Sequence, residues 1–221
     1  MSGFFNQMDF QGDNNIGLYG FATDSFCLLG FGNKKIKQQI REMLNIKVYT
    51  ATFLDINLAK LFGAGNSSGL ILPSIIQNDD IEEFRKRFDF KTKIIDTNYA
   101  LGNFVLMNDN GIVLSGVLKK HKDAIEKFFS LDVVISKIAK LDLVGSLGIA
   151  TNKGCLVHPD VTDKEVGVIE KALNVSLNIG TVSFGSPYPG AGIIANSTGF
   201  ITSKTTSGPE LGRITESLGF L

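Results

Sequence analysis

The chain has 221 residues, 43% of them apolar and 20% charged, with 22 basic residues against 22 acidic ones. That allows a sizeable core in one large domain or two small ones, and zero net charge excludes a global electrostatic hold on a polyanion. Two cysteines and two histidines make neither a disulfide framework nor a zinc site; with no leader-like amino terminus and no apolar run near ~20 residues, a soluble, cytoplasmic protein without a cofactor is expected.

Taken in order, "FNQMDF" (5–10) alternates apolar and polar residues and predicts a strand. "IGLYGFA" is a second strand, turning at once through "TDSFCLLG" (23–30). The stripe Ile36, Ile40, Met43 and Leu44 marks "NKKIKQQIREML" as an amphipathic helix started by Asn33. "IKVYTATF" is extended again. The same order then recurs: the turn and strand "GNSSGLILP" (65–73), a helix from Asn78 with Ile81, Phe84 and Phe88 on its stripe, and "FKTKIIDT". "GNFVLM", "NDNGIVLSG" (108–116) and "LDVVISKIA" make a third round, in which His121 lies in the polar run "KKHKD", read as a solvated helix start. A fourth comprises "GSLGIA", "NKGCLVHP" (152–159), a helix from Thr162 with Val166, Ile169 and Leu173, and "VSLNIGTVS". "AGIIAN", "NSTGFITSK" (196–204) and a helix from Ser207, with Pro209 and Glu210 in its first turn, form the fifth.

Ser25, Gly69, Gly111, Gly154 and Gly199 hold one register at spacings of 44, 42, 43 and 45 residues, so five copies of about 44 residues fill the chain. Asn and Gly at the hairpin turns are expected to supply positive φ angles. The fifth copy lacks a final strand, and 5–10 stands where a final strand precedes every other copy. We therefore expect an α/β fold: a closed, pseudo-fivefold, pentein-like ring of strand-hairpin-helix-strand units (about 11–56, 57–99, 100–143, 144–187 and 188–221), with 5–10 pairing to the fifth so that no edge is left for aggregation.

Rings of this kind also house guanidino-modifying enzymes, which use a nucleophilic Cys with a His and carboxylates, so "GCLVHP" bears on function. On a strand, Cys155 and His158 are an odd number of positions apart and point to opposite faces. Cys155 fills a slot that other copies fill with apolar residues and reads as core, and His158 as a surface or edge residue. The glycine-rich "PYPGAGIIANSTG" (187–199) lacks a phosphate-loop Lys-Ser/Thr, and Asp79, Asp80, Glu82 and Glu83 fit the first turn of a helix. The basic residues Lys34, Lys35, Lys37, Arg41 and Lys47, and Lys119, Lys120 and Lys122, are solvated helix faces or local RNA contacts.

"GNSSGLILP", "ALGNFVLMNDNG", "LVGSLGIATNKGCLVHP", "IGTVSFGS", "GAGIIANSTGF" and "TTSGPELGRITESLG", six stretches in order over essentially the whole chain, resemble the archaeal and eukaryotic translation initiation factor six family, the ribosome anti-association factor. The ending after the fifth helix resembles the archaeal form. The resemblance implies a non-enzymatic monomer that binds the large ribosomal subunit on its intersubunit face, beside a uL14-type ribosomal protein and the sarcin-ricin loop, and blocks joining of the small subunit. It also implies a role in large-subunit biogenesis and release by an SBDS-type protein and a translational GTPase; no DNA or membrane is involved.

Family members bind through the end at which each copy's first strand begins. Here those positions are Asn15, Ile16 and Gly17; Ala59, Lys60 and Leu61; Leu101, Gly102 and Asn103; and Val144, Gly145 and Ser146. Asn103 and Lys60 are the stronger contact residues by this resemblance, and Gly17, Gly102 and Gly145 either contact the subunit or permit a bend between copies. Lys60 stands where the others have Gly, and Leu61 where eukaryotic members carry a basic residue. A guanidino-type hydrolase or transferase and a bare scaffold for another complex remain rival readings.

Overall fold

The chain forms five three-stranded sheets, and the middle strand of each is buried along its entire length. The computed structural model describes residues 3–76, 78–88 and 90–221; the side chains of Asn78, Asp79, Asp80, Glu83 and Arg85 lie outside that description, and with them most of the acidic run discussed above. In chain order the strands are β1 (Phe5–Met8), β2 (Gly20–Ala22), β3 (Phe26–Leu29), β4 (Lys47–Thr50), β5 (Ala64–Asn66), β6 (Gly69–Pro73), β7 (Lys91–Ile95) and β8 (Val105–Met107). They continue with β9 (Ile112–Leu114), β10 (Val133–Ile135), β11 (Gly148–Ala150), β12 (Cys155–Val157), β13 (Leu177–Ile179), β14 (Ile193–Ala195) and β15 (Phe200–Ser203). The sheet orders are β2-β3-β4, β5-β6-β7, β8-β9-β10, β11-β12-β13 and β14-β15-β1.

In every sheet the first two strands form an antiparallel hairpin and the third lies parallel to the middle one. A parallel neighbour needs a crossover, and in four copies the chain crosses through α1 (Lys34–Leu44), α3 (Asn78–Arg87), α5 (Lys122–Phe129) or α7 (Asp163–Leu173). The fifth crossover is not covalent: α9 (Gly208–Ser217) follows β15, and the parallel third strand is β1 from the other end of the chain, with Phe5 opposite Phe200 and Met8 opposite Ser203.

Between the copies lie short helical turns: a 3-10 turn Ile16–Leu18, α2 (Ala59–Phe62), α4 (Leu101–Phe104), α6 (Val144–Leu147) and α8 (Pro189–Gly192). Each packs on the next, and α8 packs on Ile16–Leu18. The core is split accordingly into five clusters, each beneath a crossover helix; Ile40 and Leu44 of α1, for example, join Phe10, Ile16, Cys27 and Ile201. The α1, α3 and α7 stripes face these clusters as their spacing predicts, although Val166 is only half-buried.

The hairpin turns correct one expectation. Gly69, Gly111, Gly154 and Gly199 do not use positive φ. They are small because other backbone comes close: a Cβ on Gly111 would lie 1.9 Å from the Ala172 carbonyl oxygen and one on Gly154 2.1 Å from that of Ser217, both in the next copy, and one on Gly69 2.8 Å from that of Lys91 in its own. The turns are held by side chains. Asn108 Oδ1 accepts from the Asn110 and Gly111 N–H groups, while its Nδ2 donates to the carbonyls of Thr151 and Leu173 in the next copy. Asn196 repeats this with Thr198, Gly199, Thr23 and Leu44.

Two histidine readings change as well. His121 ends a 3-10 helix (Gly116–His121) leading into α5 and is half-buried, its Nε2 shut from solvent without a hydrogen-bond partner. His158 is 9% exposed rather than a surface residue: its Nδ1 accepts the Asp160 N–H at 3.0 Å, and its ring meets Tyr188 edge-on.

Candidate functional site

Four of the five loops leading into the short turns, all but the one ahead of α4, share a tight backbone form. Leu54 with Asp55, Ala139 with Lys140, and Ser183 with Phe184 are successive left-handed residues, and Gln11 with Gly12 makes the same pair ahead of the first copy. Consecutive positive φ angles suit a short turn closed by one antiparallel bridge: two residues lie between Phe10 and Asp13, Phe53 and Ile56, and Ile138 and Leu141, and three between Val182 and Ser186, where Gly185 adds a third positive φ.

Such strained tips require anchors, and two come from the next helix. Glu165 of α7 closes a capping box with Thr162 and also accepts from the Ala139 and Lys140 N–H groups. Glu210 of α9 accepts from the Ser207 N–H and O–H, Thr181 Oγ1 and the Phe184 and Gly185 N–H groups. Burial acts to raise the Glu210 pKa, but these donors favour the ionised form and hold it at about 2. The turn positions are therefore fixed by charged hydrogen bonds.

Beside exposed polar tip residues such as Gln11, Asp55 and Lys140, the loops also display large apolar side chains. Ile56, Tyr99, Leu141, Leu143 and Tyr188 are each between 36% and 46% exposed and Phe184 is 83% exposed, all in loops leading into short turns. Large apolar residues gathered at one end of a protein mark an interaction surface.

The residues singled out by resemblance divide into outward and inward sets. Asn15 is exposed, its N–H and Nδ2 bonded to Asp13 Oδ1. Asn103 and Ser146 are half-buried and joined, Ser146 Oγ donating to Asn103 Oδ1 at 2.9 Å. Leu61 is half-buried against the cluster of Phe53 and Phe62, and Leu101 is wholly buried beside Ile112 and Ile125. Gly17, Gly102 and Gly145 are buried where neighbouring turns touch: a Cβ on Gly145 would fall 2.1 Å from the Gly102 oxygen and one on Gly102 1.5 Å from that of Lys60. They permit close approach rather than a bend. Burial lowers the Lys60 pKa to about 8.

A nucleophile is not assembled at "GCLVHP". Cys155 is fully buried among Val113, Leu147, Ile169 and Leu173, and burial, then the Glu170 charge, pushes its thiol pKa up, away from thiolate. Among the described residues no cluster of His, Cys, Asp or Glu could hold a metal ion, and no helix is long and apolar enough to cross a membrane.

A family model described as the eIF-6 family matches residues 5–217. The chain belongs to the eIF-6 family. Curated relatives named Translation initiation factor 6 include those of Pyrococcus horikoshii, 34% identical over 97% of this chain and 98% of the relative, and Methanocaldococcus jannaschii, 34% identical over 96% of each. That of Methanosarcina acetivorans is 35% identical over 97% of this chain and 98% of the relative. An eIF-6 chain is thus a translation initiation factor by family, and its five three-stranded sheets fit a fold repeated five times. Resemblance alone missed the apolar loop residues and the reach of Glu165 and Glu210; the Thr-x-x-Glu and Ser-x-x-Glu spacings were the available signal for the latter.

Proposed function

We propose that this chain is a non-enzymatic, cytoplasmic anti-association factor that binds the large ribosomal subunit with the end bearing the short turns. The footprint lies on the intersubunit face, beside a uL14-type protein and the sarcin-ricin loop, where a bound body of 23.9 kDa excludes the small subunit by sterics. It acts as a monomer, a pentein-like, pseudo-fivefold ring in one domain, and serves large-subunit biogenesis before an SBDS-type protein and a translational GTPase release it.

The observation that carries this reading is the apolar set Ile56, Tyr99, Leu141, Leu143, Phe184 and Tyr188, displayed around turns that glycine contacts make rigid. Aromatic and aliphatic anchors on a preorganised surface suit a protein-dominated contact, and a neutral chain needs little RNA attraction to hold it. Asn15 and the Asn103–Ser146 pair would supply the polar part. Co-sedimentation with isolated subunits tests it: binding to the large subunit alone, with fewer joined ribosomes, is expected, and binding to neither subunit or to the small one would overturn it.

A further inference from the structure

In four copies the short turn carries glycine at one register, Gly17, Gly102, Gly145 and Gly190, and each of these backbones lies against a neighbouring turn. The second copy has Lys60 there. Lys60 lines a partly open cavity between the first strands of four sheets, with Phe21, Ala64, Leu106, Met107 and Ile149 among its walls, and it is the only charged residue doing so among the described residues. Lys60 is half-buried, and burial lowers the pKa of its ammonium.

An unpaired ammonium in an apolar setting is unfavourable, and no ion pair to Lys60 is present among the described residues. Two carboxylates, Asp24 and Asp109, line a neighbouring pocket that shares Ala22, Gly65, Met107 and Ala150 with this cavity, and both are already engaged. Asp24 accepts from Asn152 Nδ2 and the Ser197 N–H, and Asp109 from Asn152 Nδ2 and from the N–H and hydroxyl of Ser67. The cavity walls do offer donors. Among the described residues β2, β5, β8 and β11 are edge strands that pair on one side only, and no ladder joins one to the next. Edge strands present N–H groups on their unpaired side.

We propose that this cavity is a binding site for one small monovalent inorganic anion, of halide size, held by Lys60 Nζ and by backbone N–H groups of the surrounding edge strands. The cavity has about 40 Å³ of room, enough for a single ion or a few waters and too little for an organic cofactor. The anion supplies the counter-charge that no carboxylate of the chain provides. The site is particular to this sequence, because a glycine at position 60 would leave the cavity without a cation.

The test uses the whole chain at constant ionic strength, with sodium chloride exchanged for sodium gluconate, an anion too large to enter. Thermal unfolding should rise by about 3–5 °C per tenfold increase of chloride above its dissociation constant, and crystals grown in sodium bromide should show anomalous scattering within hydrogen-bond distance of Lys60 Nζ. Lys60→Gln should lose the chloride dependence, and Lys60→Gly, the residue of the other copies, should do the same if the Gln variant folds poorly. Equal melting in chloride and gluconate, an equal chloride response in the variants, or only water in the cavity would overturn the proposal.

Discussion

Asn103 and Ser146, 43 positions apart, meet across two copies: the Ser146 hydroxyl donates to Asn103 Oδ1 at 2.9 Å. The two sit just after Gly102 and Gly145, whose close approach brings the turns together. The bond leaves the Asn103 amide N–H groups available to a partner.

Asn103→Ala should therefore weaken large-subunit binding in co-sedimentation while costing about 1 kcal/mol of stability, a fall in Tm of roughly 2–4 °C. An unfolded variant, or one that binds normally, would remove Asn103 from the site.

Phe184 is 83% exposed on a left-handed turn. Phe184→Ser should leave the melting temperature within about 2 °C, since exposed positions contribute within ±0.5 kcal/mol, and should raise the subunit dissociation constant about tenfold or more if it is an anchor. Unchanged binding would place the contact elsewhere.

Gly145→Ala puts a methyl group 2.1 Å from a carbonyl oxygen held by the neighbouring turn. Separation of the two turns should cost about 2–4 kcal/mol. Gly167, exposed within α7 with nothing within 4 Å of the place a methyl group would occupy, is the control: Gly167→Ala should stabilise by about 0.5–1 kcal/mol. Urea unfolding of both variants checks the contrast.

Glu210 has a folded pKa of about 2 against an ordinary 4.5. A depressed carboxylate stabilises the fold above its unfolded pKa, and that contribution disappears as pH falls from about 4.5 toward 2. Glu210→Gln should lower stability at pH 7 by about 1–3 kcal/mol and flatten the acid limb of a stability-against-pH curve. An unchanged slope would assign the acid sensitivity to other groups.

Cys27 and Cys155 are both fully buried, with pKa values raised by burial. Neither should react with a thiol reagent near neutral pH until denaturant is added. Fast alkylation of Cys155 in the native protein would revive the guanidino-enzyme reading.

Much of the fold is legible because the repeat is written in local grammar. The α1 stripe and the Asn33, Thr162 and Ser207 starts depend on spacing within a few residues, and the structure places a helix at each. The pairing of β1 with β15 follows from a fifth copy that is one strand short. The hairpin glycines are misleading because Asn-Gly and Ser-Thr-Gly suggest positive φ locally, whereas the carbonyls of Ala172 and Ser217 that demand glycine come from another copy.

The sequence by itself determined the period, the strand-hairpin-helix-strand order and the family, since these follow from apolar periodicity, capping residues and ordered motifs. Only the tertiary structure decided that the glycines of the short turns serve contact between copies, that Leu101 is core and Asn103 bonds Ser146, and that Lys60 faces a cavity. The reason is physical: spacing along the chain records which face a side chain occupies, but not which distant backbone comes to lie against it.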